Sequence, residues 1–246
     1  MNQIIAGRKP VIEALKAGSQ IDRVVFLQGV HGSVIDDIKS LAERKGVQVM
    51  AVPRQEFREL ASHATTQGVV AVILTKQYVE IEDILAIAKE RDEKPFVLIL
   101  DEIEDPQNLG ALIRTAEGAG VHGVVIPKHH AASITAAVVK ASAGATEHVA
   151  VAEVTNIVHT IGELKKMECW VIGLDADGDK LFSSVDYTTP LALVVGNEGK
   201  GIRRLVKEHC DHLVKIPLYG RIASLNASVA GALVMFETAR QRHPLH

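Results

Sequence analysis

Cysteine and aromatic residues are scarce in this 246-residue chain, and long apolar runs are missing. Two cysteines, Cys169 and Cys210, make no disulfide framework, so a reducing compartment is expected and a small cystine-stapled secreted fold is excluded. Aromatics make up 4% of the residues against 47% hydrophobic overall, which points to an aliphatic α/β core. No apolar stretch nears the ~20 residues that cross a bilayer, and Met1 to Arg8 lacks a basic-then-apolar leader pattern. A cytoplasmic protein with no membrane partner is therefore expected. Neither sign of charge dominates, since 27 Lys/Arg face 30 Asp/Glu for a formal charge of −3. That balance argues against a general nucleic-acid coat, and no DNA partner is expected. Residues 1–75 hold nine Lys/Arg against seven Asp/Glu, whereas 93–246 hold fifteen against eighteen. Any nucleic-acid recognition must come from local patches. The eleven histidines show no metal-ligand spacing, so no metal site is expected.

What is present is an alternation of β-branched runs with helical periodicity. Arg8–Lys16 reads as a helix that Gly18 ends, Arg23–Leu27 as a strand and Ser33–Lys45 as a helix. Val47–Ala51 and Gly68–Leu74 read as strands on either side of a helix at Pro53–Ala61. Residues 1–75 thus form a small α/β domain. The charged segment 76–92 has weak periodicity and reads as a linker with partial helical character. From 93 to 246 the pattern repeats on a larger scale. Strands are expected at Phe96–Leu100, Gly123–Ile126, Val149–Ala152, Trp170–Leu174, Leu191–Val195 and Leu213–Ile216. Helices are expected at Leu109–Ala119, Ile134–Ser142, Asn156–Met167, Arg203–His209 and Asn226–Arg242. This is the pattern of a mostly parallel sheet covered on both faces, whose ligands bind beyond the carboxyl ends of the strands.

Three segments fall at such ends. In Gly196-Asn197-Glu198-Gly199-Lys200-Gly201 the glycines let backbone approach a ligand, but the spacing matches neither the dinucleotide fingerprint nor the P-loop. A tight turn alone would explain the glycines, though not the carboxylate of Glu198. In Asp105–Ala116, Asn108 could serve as an N-cap. Gly110 weakens the helix unless its backbone lies close to something. Arg114 in an otherwise apolar helix is either a buried ion-pair partner or an anchor for phosphate or ribose. In Ile216–Gly231 a strand breaks at Pro217 and Gly220 and enters an apolar helix through Ser224 and Asn226. Asp175-Ala176-Asp177-Gly178-Asp179 has its glycine in the fourth place, not the sixth of a calcium loop, and reads as a surface turn.

Together these segments resemble the three signature motifs of the SpoU (TrmH-type) RNA 2′-O-ribose methyltransferases. Asn108, Gly110 and Arg114 match the first motif, and Gly196, Asn197, Glu198 and Gly201 the second. Ile216, Pro217, Gly220, Ser224, Leu225, Asn226, Ser228 and Ala230 match the third. Leu218 departs from the Met and Ala227 from the Val often found there. Gly7–Leu15 and Gln67–Ala71 are similar to the substrate-binding domain of the branch that methylates a guanosine in the peptidyl-transferase region of 23S rRNA. Thr66 stands where that branch often has His.

The resemblance implies a C-terminal trefoil-knotted, SPOUT-type, mostly parallel sheet domain over 93–246. It also implies a smaller, ribosomal-protein-like α/β domain over 1–75 that binds RNA substrate, and a homodimer through the C-terminal domains. The implied cofactor is S-adenosylmethionine, held by backbone groups of Gly196, Ile216 and Leu225. The implied catalytic set is Arg114 with Asn108, Glu198, Ser224 and Asn226. The family assigns Arg114 to activating the 2′-hydroxyl. An arginine scarcely loses its proton, so we read its role as binding the adjacent phosphate and stabilising the developing alkoxide. The competing readings are a tRNA ribose methyltransferase and a non-catalytic RNA-binding or ribosome-assembly module. The domain at 1–75 favours rRNA, and the intact Arg114, Glu198 and Asn226 favour an enzyme.

Overall fold

In the computed structural model, residues 4–17, 21–61, 65–73, 78–221 and 224–243 are described. The chain divides into two units, Met1–Lys76 and Gln77–His246. Gly18 and Leu74, expected as the ends of a helix and a strand, lie outside the described residues.

The first unit contains β1 (Ile4–Ala6), α1 (Arg8–Ala17), β2 (Ile21–Leu27), α2 (Ser33–Arg44), β3 (Gln48–Val52), α3 (Arg54–Leu60) and β4 (Val69–Ile73). Its sheet runs β1-β4-β2-β3, with β2 and β3 parallel and the other two pairings antiparallel. Alternation along the strands makes two apolar faces. Val24, Phe26, Val69 and Ala71 pack with Val11, Leu15, Ile35 and Ile38 of α1 and α2. Val25, Val70 and Val72 pack with Phe57 of α3. Pro53 caps α3 from outside rather than occupying its first turn.

The first helix of the second unit is α4 (Ile81–Glu90), within the segment 76–92 expected as a linker with partial helical character. Ile81, Ile84 and Ala88 are buried on one stripe of this helix, and its polar residues hide that stripe in the sequence. There follow β5 (Phe96–Asp101), α5 (Pro106–Gly118), β6 (Gly123–Pro127), α6 (Ala136–Ala141), β7 (Ala150–Val154), α7 (Ile157–Lys166), β8 (Trp170–Leu174) and β9 (Lys180–Leu181). The unit closes with β10 (Leu191–Gly196), α8 (Arg204–His209), β11 (His212–Lys215) and α9 (Ala227–Arg242). The sheet order is β7-β6-β5-β10-β8-β11-β9, and every pairing in it is parallel. On one face Leu98, Leu100, Leu193 and Val195 pack with Leu112 and Ile113 of α5 and Val234 and Met235 of α9. On the other, Val97, Ile99, Ala192 and Val194 pack with Ile84, Ile161, Leu164 and Val206. No helix among the described residues is long and apolar enough to cross a membrane.

His122 is buried at the foot of this sheet. Its Nδ1 accepts from the Phe96 amide at 3.0 Å, and its Nε2 lies 2.9 Å from Glu93 Oε2. Burial lowers its pKa, outweighing the opposing pull of Glu93. The unfolded chain therefore takes up a proton near pH 6.5 that the folded chain resists, and stability falls as pH drops below that value. Thermal unfolding between pH 7.5 and 5 should show this fall, and His122→Gln should flatten it.

Candidate active site

The crevice of a parallel sheet opens where successive connections leave in opposite directions. Here β5 has β6 on one side and β10 on the other, and Gly196 pairs with Asp101 at the carboxyl ends of β10 and β5. Beyond Gly196 the chain turns back on itself. Asn197 and Gly201 exchange backbone hydrogen bonds of 3.1 and 2.8 Å. The Asn197 side chain accepts from the amides of Gly199 and Lys200 and donates to the Glu102 carbonyl at 3.0 Å. A Cβ on Gly196 would lie 2.3 Å from the Gly201 carbonyl carbon, so the first glycine admits the loop's own return strand. Close approach was the expected reason for glycine here, but the partner is the protein itself.

Beneath the loop, Asp101 is fully buried. Its carboxylate accepts from the Arg203 amide and Nε, both at 2.8 Å, and lies 2.6 Å from Arg203 Nη2. The hydrogen bond to Asp101 raises the Arg203 pKa. Removing one partner of a buried pair leaves an uncompensated charge, at a cost of about 3–5 kcal/mol. Arg203 is half exposed and its amide would still donate, so Arg203→Ala should cost about 3 kcal/mol. Calorimetry would read this as a melting temperature lower by about 6–12 °C.

The ends of β8, β10 and β11 and the entry to α9 enclose a cleft of about 350 Å³. Its walls include Leu174 to Asp177, Val195 to Gly201, Ile216, Leu218, Ser224 and Leu225, with Ala227 and Ala230 from α9. Lys207 also lines it and bonds Asp175 at 2.6 Å. The run from Asp175, expected as a surface turn, thus has a buried carboxylate and forms a cleft wall. Burial of that aspartate is a tertiary effect with no local signal.

Above the cleft the three motifs are joined. Asn108 Nδ2 donates to Glu198 Oε1, 90 residues away. Asn226 Nδ2 donates to Asn108 Oδ1 at 2.9 Å, across 118 residues. Asn226 Oδ1 meanwhile accepts from the amides of Ser228 and Val229 and caps α9. The cap of α5 is Asp105, whose side chain accepts from Gln107 N, so Asn108 is not the N-cap but is free for the cluster. Gly110 lies against α6, where a Cβ would come within 2.4 Å of Ala141 Cβ.

Gly196, Glu198, Ile216, Ser224 and Leu225 therefore share one cleft, with Asn108 bonded to Glu198 and Asn226 bonded to Asn108 at its rim. Arg114 stands apart. It is exposed, which removes the buried ion-pair reading, and it has no hydrogen-bond or ion-pair partner among the described residues. Six residues place it about 9 Å along α5 from Asn108, and roughly 120° around the helix. Asp175, Asp177, Lys200 and Lys207 are wall residues that the motifs did not single out.

A parallel α/β sheet with a polar-rimmed cleft beyond the carboxyl ends of its strands has the form of a small-molecule site. The comparisons narrow that class. The SpoU rRNA Methylase family model matches residues 95–236, and the model for RNA 2′-O ribose methyltransferase substrate binding matches 4–79. YacO of Bacillus subtilis, which carries the name of a TrmH family tRNA/rRNA methyltransferase, is 44% identical over 98% of this chain and 96% of its own. The AdoMet-bound rRNA methyltransferase of Sinorhizobium meliloti superposes with a TM-score of 0.61 at 25% identity, over 100% of this chain and 88% of that one. The SpoU methyltransferase AviRb of Streptomyces viridochromogenes shares the fold, with a TM-score of 0.65 at 23% identity over 98% and 90% of the two chains. The chain belongs to the SpoU family and is an RNA methyltransferase.

Proposed function

We propose that this enzyme transfers a methyl group from S-adenosylmethionine to the ribose 2′-hydroxyl of a guanosine in 23S rRNA. The observation that carries this reading is the chain of hydrogen bonds from Glu198 through Asn108 to Asn226, which ties three distant motifs together over one cleft. S-adenosylmethionine fits the donor set. Leu174, Val195, Ile216 and Leu225 offer apolar walls to an adenine, and backbone groups of Gly196, Ile216 and Leu225 would hold it and its ribose. Carboxylates of Asp175, Asp177 and Glu198 suit hydroxyl, ammonium and sulfonium groups, and Lys207 and Lys200 suit the cofactor's carboxylate. The cleft lies within the range of ~300–1,000 Å³ usual for small-molecule sites.

The bound cofactor supplies an electrophilic methyl on a positively charged sulfur. The protein's share is to place the sugar oxygen in line with it, and good placement can supply ~7–11 kcal/mol. Glu198, Asn108, Asn226 and Ser224 orient the ribose. Arg114 holds the neighbouring phosphate and stabilises the oxygen as its proton leaves. The unit at 1–75 binds the RNA, in line with its substrate-binding family model.

A homodimer is part of this reading. Val229, Leu233 and Phe236 of α9 are 49%, 42% and 53% exposed and form an apolar hollow with Ala111 and Thr115 of α5. Pairing through that hollow would bring Arg114, three residues from Ala111, to the seam. Ile216, Leu218, Ser224 and Leu225 line one cleft with the loop at 196–201, as the closing segment of a trefoil knot would. Cytoplasmic rRNA is the expected encounter. The test is incubation with labelled S-adenosylmethionine and separate 23S, 16S and tRNA pools, followed by mapping of the modified ribose. Label on a 23S guanosine 2′-oxygen is the expected result. Label confined to tRNA, or on a base, would overturn the assignment.

A further inference from the structure

Tyr219 is 95% exposed, far beyond any other aromatic residue described. The remaining aromatics have cover. Phe26, Phe57, Phe96 and Tyr187 are buried, and half-exposed Trp170 stacks on His212 with centroids 5.6 Å apart. Phe236 belongs to the apolar hollow on α9. An aromatic side chain typically buries ~150–250 Å² on folding, so one left fully in water contributes little to stability.

Its place gives it another use. Tyr219 follows Leu218, which forms part of the cleft wall, and consecutive Cα atoms lie ~3.8 Å apart. Leu218 faces the cleft while Tyr219 faces solvent at its mouth. The loop is anchored on both sides. Ile216 packs against the sheet core before it, and Asn226 caps α9 after it. Exposed Arg221 lies two residues on, and exposed Lys200 stands on the opposing loop of the same cleft. An exposed flat ring next to a cleft wall, with one cation two residues on and another across the cleft, suits single-stranded RNA, which stacks bases on rings and pairs phosphates with cations.

Resting on the reading of this cleft as the ribose-methylation site, we propose that Tyr219 is a stacking platform for an unpaired nucleobase of the RNA strand that enters it. Stacking on an exposed ring tolerates any base, so Tyr219 supplies affinity and orientation and leaves sequence choice to other contacts.

The test compares wild type, Tyr219→Ala and Tyr219→Phe. Fluorescein-labelled 23S rRNA transcript and tRNA pools are titrated by anisotropy in the presence of S-adenosylhomocysteine. Methyl transfer to the same RNAs and calorimetric binding of S-adenosylmethionine are measured alongside. Tyr219→Ala should weaken RNA binding by about 5- to 150-fold and raise the RNA KM in step, while Tyr219→Phe stays within about twofold of wild type. Cofactor affinity and melting temperature should not change in either variant. Unchanged RNA affinity in Tyr219→Ala overturns the proposal while leaving wild-type transfer to stand as support for the function. Equal losses in both variants also overturn it, because the hydroxyl rather than the ring face would then be the contact. A wild type that neither binds nor methylates any of the RNAs overturns the proposal and the functional reading together.

Discussion

Arg114→Ala is expected to reduce methyl transfer by at least about 10²-fold while leaving S-adenosylmethionine affinity nearly intact. The expectation follows from where Arg114 stands. It is absent from the cleft walls and has no bond to Asn108, Glu198 or Asn226 among the described residues, so its removal does not disturb the cofactor site. Its exposed guanidinium offers paired donors that suit phosphate geometry. Single-turnover rates with saturating RNA, set beside calorimetric cofactor titrations, separate the two quantities. A variant that kept more than about a tenth of the wild-type rate would remove Arg114 from the chemistry, since losing one donor to a developing oxyanion typically costs ~10²–10³-fold. Arg114→Lys is expected to recover little, because a point charge does not reproduce the planar fork.

Gly196→Ala is expected to weaken cofactor binding by about 10²-fold in a domain that remains folded. The added methyl would fall 2.3–2.4 Å from Gly201 C and O and Ile202 N, all of them backbone atoms that cannot swing aside. The loop must move to admit it, and a shift of about 1 Å in a binding site costs roughly 10²-fold. Gly199→Ala provides the contrast. Its Cβ would meet only Asn197 Oδ1 at 3.6 Å, so a much smaller effect is expected. Cofactor titration with circular dichroism on each variant checks both statements. Near-wild-type binding by Gly196→Ala would mean that the 196–201 loop does not shape the cofactor site.

Much of this architecture is legible in the residues, and the misses share a cause. The strands of the large sheet are buried on both faces, so runs such as Leu191–Val195 stand out as unbroken apolar segments. The two-residue β9 and three-residue β1 are too short to display any period. In α4 the stripe of Ile81, Ile84 and Ala88 was present, but the charged residues between them left 76–92 with only a weak helical period. Asp105-Pro106 is a clear helix start, with a capping side chain followed by Pro, and it outranks Asn108 as the cap. Nothing in a turn requires a carboxylate, which is why Glu198 could be picked out, whereas Asn226 also has a local task as the cap of α9. Asp175 and Lys207 could not be picked out, because their pairing depends on how β8 and α8 meet. Nothing in the local sequence separates a buried carboxylate in a loop from a solvated one.

The linkage of Glu198, Asn108 and Asn226 also bears on the order of events during synthesis. Asn108 must wait for a partner made 118 residues later, and that partner caps the last helix of the chain. Contacts of such long range are closed late and slowly. A polypeptide that ended just before residue 226 would hold every strand of both sheets, yet lack α9 and the last member of this linkage. The linkage at the cleft rim therefore closes only once nearly the whole chain has been made.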